Sequence, residues 1–142
     1  MIKGIAAAYL GAPYVLLTDL TENLPLLREN VLMNAVSHVV AVEPLEWGHQ
    51  DVGEIGTFDV VLAADVMYDE CVINDFVQTL RNIATSSTTI FLAYGRNRQA
   101  EEVFSRKASK WFSIQKIETN DLDEVYQCID VDVFMIRKRD NI

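Results

Sequence analysis

With 142 residues, half of them hydrophobic and 23% charged, the chain has the size and balance of one folded domain, 1–142, with a real core. A formal charge of -9 opposes binding to phosphate backbones, which excludes a general nucleic-acid binder and suits a basic partner such as a lysine-bearing protein surface. No apolar run reaches the ~18 residues of a membrane span, and nothing at the start reads as a signal peptide, so no membrane role is expected.

Ile2 to Leu10 reads as a short alanine-rich helix, stopped by Gly11-Ala12-Pro13. Tyr14 to Thr18 reads as a buried strand ending in Asp19. A helix follows from about Glu22 to Ala35, with Leu24, Leu27, Val31 and Ala35 on one face and Pro25 in its first turn. Val39 to Val42 is a short strand leading into Pro44-Leu45-Glu46-Trp47-Gly48.

Within Phe58 to Tyr68, six of the seven residues Val60 to Val66 are apolar, which reads as a strand buried on both faces. It ends in Asp65 and, three residues on, Tyr68. Asp69 to Ala84 is expected to be a helix burying Ile73, Phe76, Val77, Leu80 and Ile83. Thr88 to Tyr94 is another buried strand, with Arg96-Asn97-Arg98 in its exit loop. A helix over Gln99 to Lys110 turns Val103 and Phe104 inward. Phe112 to Ile117 alternates as a half-exposed strand, Asn120 to Glu124 is an acidic connector, and Gln127 to Arg137 is the last strand.

Strands alternating with helices give an α/β fold with a mostly parallel sheet and right-handed crossovers. The last two strands, joined without a helix, must form an antiparallel edge pair. Cys71 and Cys128 lie far apart in sequence, without a paired spacing, and read as free structural thiols in a reduced setting. The two histidines, His38 and His49, stand in no metal-ligating pattern.

Carboxyl ends of strands are where open α/β sheets hold ligands. An acidic residue after an early strand of such a sheet suits ribose hydroxyls, and a flat aromatic suits an adenine face. Asp19, Trp47, Asp65 and Tyr68 fall at such places. Each has a plainer alternative: Asp19 as a turn residue, Trp47 as a core anchor, Asp65 as the cap of the next helix.

Taken together, GIAAAYLGA (4–12), VLLTDLTENLPLLRENVLMN (15–34), PLEWG (44–48), FDVVLAADVMYDE (58–70) and TIFLAYGRNR (89–98) resemble the seven-β-strand S-adenosylmethionine-dependent methyltransferases. More narrowly, the chain is similar to the methyltransferase-16 family of protein-lysine methyltransferases, among them the branch that methylates Hsp70-type chaperones. The resemblance implies a Rossmann-like class I sheet, S-adenosyl-L-methionine as cofactor and a lysine on a protein, such as a chaperone, as substrate. It gives Asp19 the ribose hydroxyls, puts Trp47 beside the adenine and Ala63 against the methionine part. It makes Asp65 and Tyr68 the post-strand pair at the amine, Asp65 orienting it and Tyr68 adding a wall and a hydrogen bond. Related adenine-amino methyltransferases carry two prolines where Val66 and Met67 stand here, which favours lysine over a nucleobase. No metal is implied, and a cytoplasmic or nuclear setting is expected.

The resemblance also implies an N-terminally incomplete domain. Family members begin with a strand and a glycine-rich loop, of which only the tail, from Gly4 onward, is matched. That strand lies between those ending in Asp19 and Asp65. Without it, the two strands are expected to pair directly, to take a strand from a partner such as a second copy, or to leave the chain marginally stable. Two functional readings stay open: an active lysine methyltransferase, and an inactive remnant that serves as a protein-interaction module.

Overall fold

The computed structural model describes residues 1–48, 55–66, 70–95 and 101–140. They fall into two compact units, Met1–Glu46 and Trp47–Ile142.

The first unit contains α1 (Ile2–Tyr9), β1 (Val15–Asp19), α2 (Leu24–Met33) and β2 (Val40–Pro44). Gly11 ends α1 at φ +92, a conformation that glycine reaches without a Cβ penalty. Pro25 sits in the first turn of α2, where its missing N–H costs no helical bond. β1 and β2 run parallel, from Val15 opposite Val40 to Asp19 opposite Pro44. Ile5, Leu17, Leu27, Val31, Val36 and Val40 close the core between helices and strands. α1 lies so near β1 that a Cβ on Gly4 would meet Leu17 Cδ2, and Val15 Cγ1 at 3.3 Å. Gly4 therefore serves close helix–strand packing. Ala35 departs from expectation: α2 stops at Met33, and Ala35 turns out into solvent at φ 54. Val36 takes the core position instead, because the chain must reverse before β2.

The second unit contains β3 (Val60–Ala64), α3 (Ile73–Ile83), β4 (Thr89–Gly95), α4 (Glu101–Ala108), β5 (Phe112–Lys116) and β6 (Val131–Lys138). Its strand order is β3-β4-β6-β5. β3 is parallel to β4, and β6 is antiparallel to both β4 and β5, so the expected antiparallel pair forms at one edge. β4 carries ladders on both sides and buries Ile90, Leu92 and Tyr94. The apolar stripe of α3 is buried at all five expected positions. In α4, Phe104 and Ala108 are buried and Val103 is half-buried.

Polar groups lock the corners. The buried Thr88 hydroxyl donates to the Phe58 carbonyl at 2.6 Å and accepts from the Thr85 N–H at 2.9 Å. The Lys138 ammonium donates to the Arg81 and Ala84 carbonyls at 2.8 and 2.9 Å, capping the carboxyl end of α3 with a cation. The Arg81 guanidinium lies 3.6 Å from the Trp111 ring centre.

β3 corrects an expectation. It is the edge strand of its sheet, and Val60 and Leu62 are 52% and 39% exposed. An unbroken apolar run records apolar surface, and burial on both faces also needs a neighbour on both sides. Among the described residues β3 has a ladder to β4 alone, and β1 has one to β2 alone. Cys71 and Cys128 stand outside any disulfide among the described residues, as expected, but both are exposed instead of buried in a core. No described helix is long and apolar enough to cross a membrane.

Candidate functional site

Asp65 follows β3 at the carboxyl end of the parallel pair. Its N–H donates to the Ala93 carbonyl at 2.9 Å, carrying the ladder one residue past the strand. It then adopts φ +56, in the left-handed region, with its side chain exposed. Aspartate is among the few non-glycine residues that tolerate this region. Held backbone strain of this kind, about 1–3 kcal/mol, concentrates at functional sites. The cap position of α3 is Val72, so Asp65 is not the cap of that helix. Two residues earlier, Ala63 is 8% exposed. Its small side chain is the buried floor at this end of β3.

Trp47 is half-buried, its ring 4.8 Å from that of Phe76 on α3 and tilted by 48°. The next residue is pinned to the same helix. The Gly48 N–H donates to Thr79 Oγ1 at 3.1 Å, at φ +84, and a Cβ there would lie 2.7 Å from Asp75 Cγ. Trp47 thus anchors to α3 through one part of its ring, and its remaining surface reaches solvent.

Asp19 ends β1 in the first unit and is exposed. Its Oδ1 accepts from the Leu20 N–H at 2.9 Å and from Asn23 Nδ2 at 2.8 Å, which fixes the carboxylate plane. Asn23 is the cap position of α2, so one carboxylate shapes the strand-to-helix turn. The turn reading of Asp19 is therefore correct as far as Oδ1 goes, and that bond set presents the carboxylate in one orientation. The Met1 ammonium titrates below its ordinary value, lowered by burial first and by the Lys3 charge second, with Asp19 opposing.

Asp65, Ala63 and Trp47 thus belong to the second unit and Asp19 to the first. Tyr68 and the Arg96-Asn97-Arg98 loop lie outside the described residues. The described residues contain no cluster of His, Cys, Asp and Glu able to hold a metal.

One part of this end of the sheet was read from the sequence as an acidic connector over Asn120 to Glu124 and, from Gln127, as the start of the last strand, whereas β6 begins at Val131. Residues 117–130 return to β6 beside the end of β4, where a Cβ on Gly95 would lie 3.7 Å from the Asp130 carbonyl oxygen. The signal was available: an antiparallel β6 must start where β4 finishes.

The profile of the lysine methyltransferase family matches residues 2–111. The chain belongs to this lysine methyltransferase family. Protein N-lysine methyltransferase METTL21A of Mus musculus is 32% identical over 120 residues, which are 82% of this chain and 55% of that protein. Protein-lysine N-methyltransferase EFM3 of Chaetomium thermophilum is 32% identical over 113 residues, 70% of this chain and 34% of that protein. The chain spans about half the length of the METTL21A proteins it matches. Among solved structures, ribosomal protein L11 methylase from Lactobacillus delbrueckii subsp. bulgaricus superposes with a TM-score of 0.65 at 19% identity, over 97% of this chain and 65% of that one. PigF with SAH gives 0.67 at 10% identity, over 94% and 46%. These likenesses establish the methyltransferase-like α/β fold.

Proposed function

We propose that this chain carries out S-adenosyl-L-methionine-dependent methylation of a lysine side chain on a protein. The observation that carries the reading is Asp65: exposed, left-handed and bonded to β4 at the carboxyl end of β3, inside the segment matched by the lysine methyltransferase profile.

The donor chemistry of the described residues fits the cofactor piece by piece. Asp19 offers an oriented carboxylate to hydroxyl donors, with both described bonds falling on Oδ1. Trp47 offers a half-buried flat ring, and Ala63 a small buried side chain. The resemblance assigns the ribose hydroxyls to Asp19, the adenine to Trp47 and the methionine part to Ala63, each residue being described within its own unit. When bound, S-adenosylmethionine supplies a methyl group already activated by its sulfonium, so the protein has mainly to position it.

The rest falls to this chain's own residues. A lysine amine must be neutral to attack, against an ordinary pKa of about 10.4. A carboxylate beside the amine stabilises the charged form, so Asp65 orients the amine by accepting its hydrogen bond, and desolvation must favour deprotonation. Tyr68 would complete the wall. The protein substrate fits the acidic charge of -9, with an Hsp70-type chaperone as the narrower candidate and the cytoplasm or nucleus as its setting.

A second reading, an interaction module without turnover, is favoured by the single-sided ladders of β1 and β3. Strand addition by a partner, a second copy included, would satisfy the open backbone edge of such a strand.

Incubating the full chain with methyl-labelled cofactor and a cell lysate tests the enzymatic reading. Protein labelling is expected, reduced by roughly a hundredfold in Asp65→Ala through loss of amine positioning. Labelling indifferent to Asp65 overturns its role. Absence of labelling from a chain that still binds S-adenosylhomocysteine selects the interaction module.

A further inference from the structure

We propose that residues 117–130 form a docking surface for a basic, partly apolar peptide segment adjoining the target lysine. This inference rests on the reading of the chain as a protein-lysine methyltransferase.

A hairpin connection ordinarily needs about 2–5 residues, and this one runs from 117 to 130. The added length is built, with short 3-10 turns over Thr119–Asp121 and Glu124–Tyr126. Asp123 accepts from the Val125 N–H at 2.9 Å, and the Gln127 side chain donates to the Leu122 carbonyl at 2.9 Å. The turns hold three large apolar side chains out in water: Val125 at 81%, Tyr126 at 80% and Ile129 at 76% exposed. A loop that fixes its own backbone while presenting apolar side chains has the form of a contact surface.

Charge selects the occupant. The acids Glu118, Asp121, Asp123, Glu124 and Asp130 are all exposed around these apolar residues. No lysine or arginine occurs between Lys116 and Arg137. A nucleic acid, an anionic membrane or a second copy of this acidic chain would meet like charge. A peptide with Lys or Arg interleaved with Leu or an aromatic residue meets complementary charge and an apolar seat.

Position selects the role. Val131 pairs with Gly95, and Asp65 bonds to Ala93, so connector and carboxylate stand at one end of the sheet. β3 and β6 flank β4 on opposite sides, two strand spacings apart, or about 10 Å. An extended peptide with its lysine at Asp65 reaches the connector roughly three residues along.

Fluorescence anisotropy of the full chain tests this. Two fluorescein-labelled peptides each carry one lysine, with an Arg-Leu-Arg flank in one and a Glu-Leu-Glu flank in the other, three residues from the lysine. The basic flank should bind about tenfold more tightly, with the preference shrinking as salt rises. Two independent variants should remove the preference: Asp121→Lys with Glu124→Lys, and Val125→Ser with Tyr126→Ser. These side chains are exposed, and unchanged circular dichroism confirms the fold. Equal affinity for both peptides, or a preference that survives both variants, overturns the proposal. So does concentration-dependent dimerisation abolished by Val125→Ser with Tyr126→Ser, which would make the surface a contact between copies. The readout is capture, so a preserved preference without methyl transfer counts against the enzymatic reading alone. Lost preference with methyl transfer intact counts against docking alone.

Discussion

The two units solve the same packing problem with different resources. Met1–Glu46 lays two helices over a two-stranded parallel ladder, and its core closes only because Gly4 brings α1 against Leu17. Trp47–Ile142 builds four strands around β4, whose inward residues Ile90, Leu92 and Tyr94 are almost completely sealed. Two-stranded ladders are marginal without help, whereas a strand paired on both sides exposes little backbone when the protein breathes. Stability is therefore expected to be uneven, with β1 opening at lower free energy than β4. Amide exchange can break this comparison directly: β1 amides exchanging as slowly as those of β4 would contradict it.

Substitutions sharpen it. The largest effect is expected for Leu92→Ala, which leaves a cavity at a 1% exposed position in the well-paired unit and should cost about 2–5 kcal/mol in a urea melt. Gly4→Ala comes next. The new methyl presses on Leu17 in a small core, and a net loss of about 1–3 kcal/mol is expected despite the better helix former. Its signature is local: faster exchange in β1 than in β4. Gly48→Ala should cost about 1–2 kcal/mol, because a side chain at φ +84 is strained and this one also meets Asp75. A melt unchanged by Gly48→Ala would mean that the Trp47–Gly48 anchor on α3 contributes little. Lys138→Met is the smallest, about 1 kcal/mol from loss of the cation at the end of α3, and its effect should be confined to the second unit.

Much of this architecture was legible in the sequence because periodicity records which face is covered. The α3 stripe appears whole, and the absence of an α-helix between β5 and β6 required their antiparallel pairing. The alternation of strands with helices gave the α/β class but not the place of β6 between β4 and β5, and the family resemblance is supported by the profile match. Other features depend on neighbours that composition cannot see. Val60 and Leu62 look like core residues until β3 is found at an edge. Ala35 continues the apolar spacing of α2 but lies past its last turn. At the candidate site, residue types pointed to Asp19, Trp47 and Asp65. The left-handed turn at Asp65, the Asn23 contact that orients Asp19 and the Phe76 contact of Trp47 are tertiary facts. Asn120 to Glu124 read only as an acidic connector and Gln127 to Asp130 as part of the last strand, because the alternation does not show that β6 starts at Val131.

The central claim, that this chain is a cofactor-using lysine methyltransferase, is tested most directly by calorimetric titration of S-adenosylhomocysteine into the full chain. Asp19→Asn serves as the control, since it keeps an acceptor for the Leu20 N–H and Asn23 while removing the charge. The account predicts roughly micromolar binding, weakened about tenfold or more by Asp19→Asn through loss of a charged hydrogen bond. No binding heat from a cooperatively folded sample, or binding indifferent to Asp19, would contradict it.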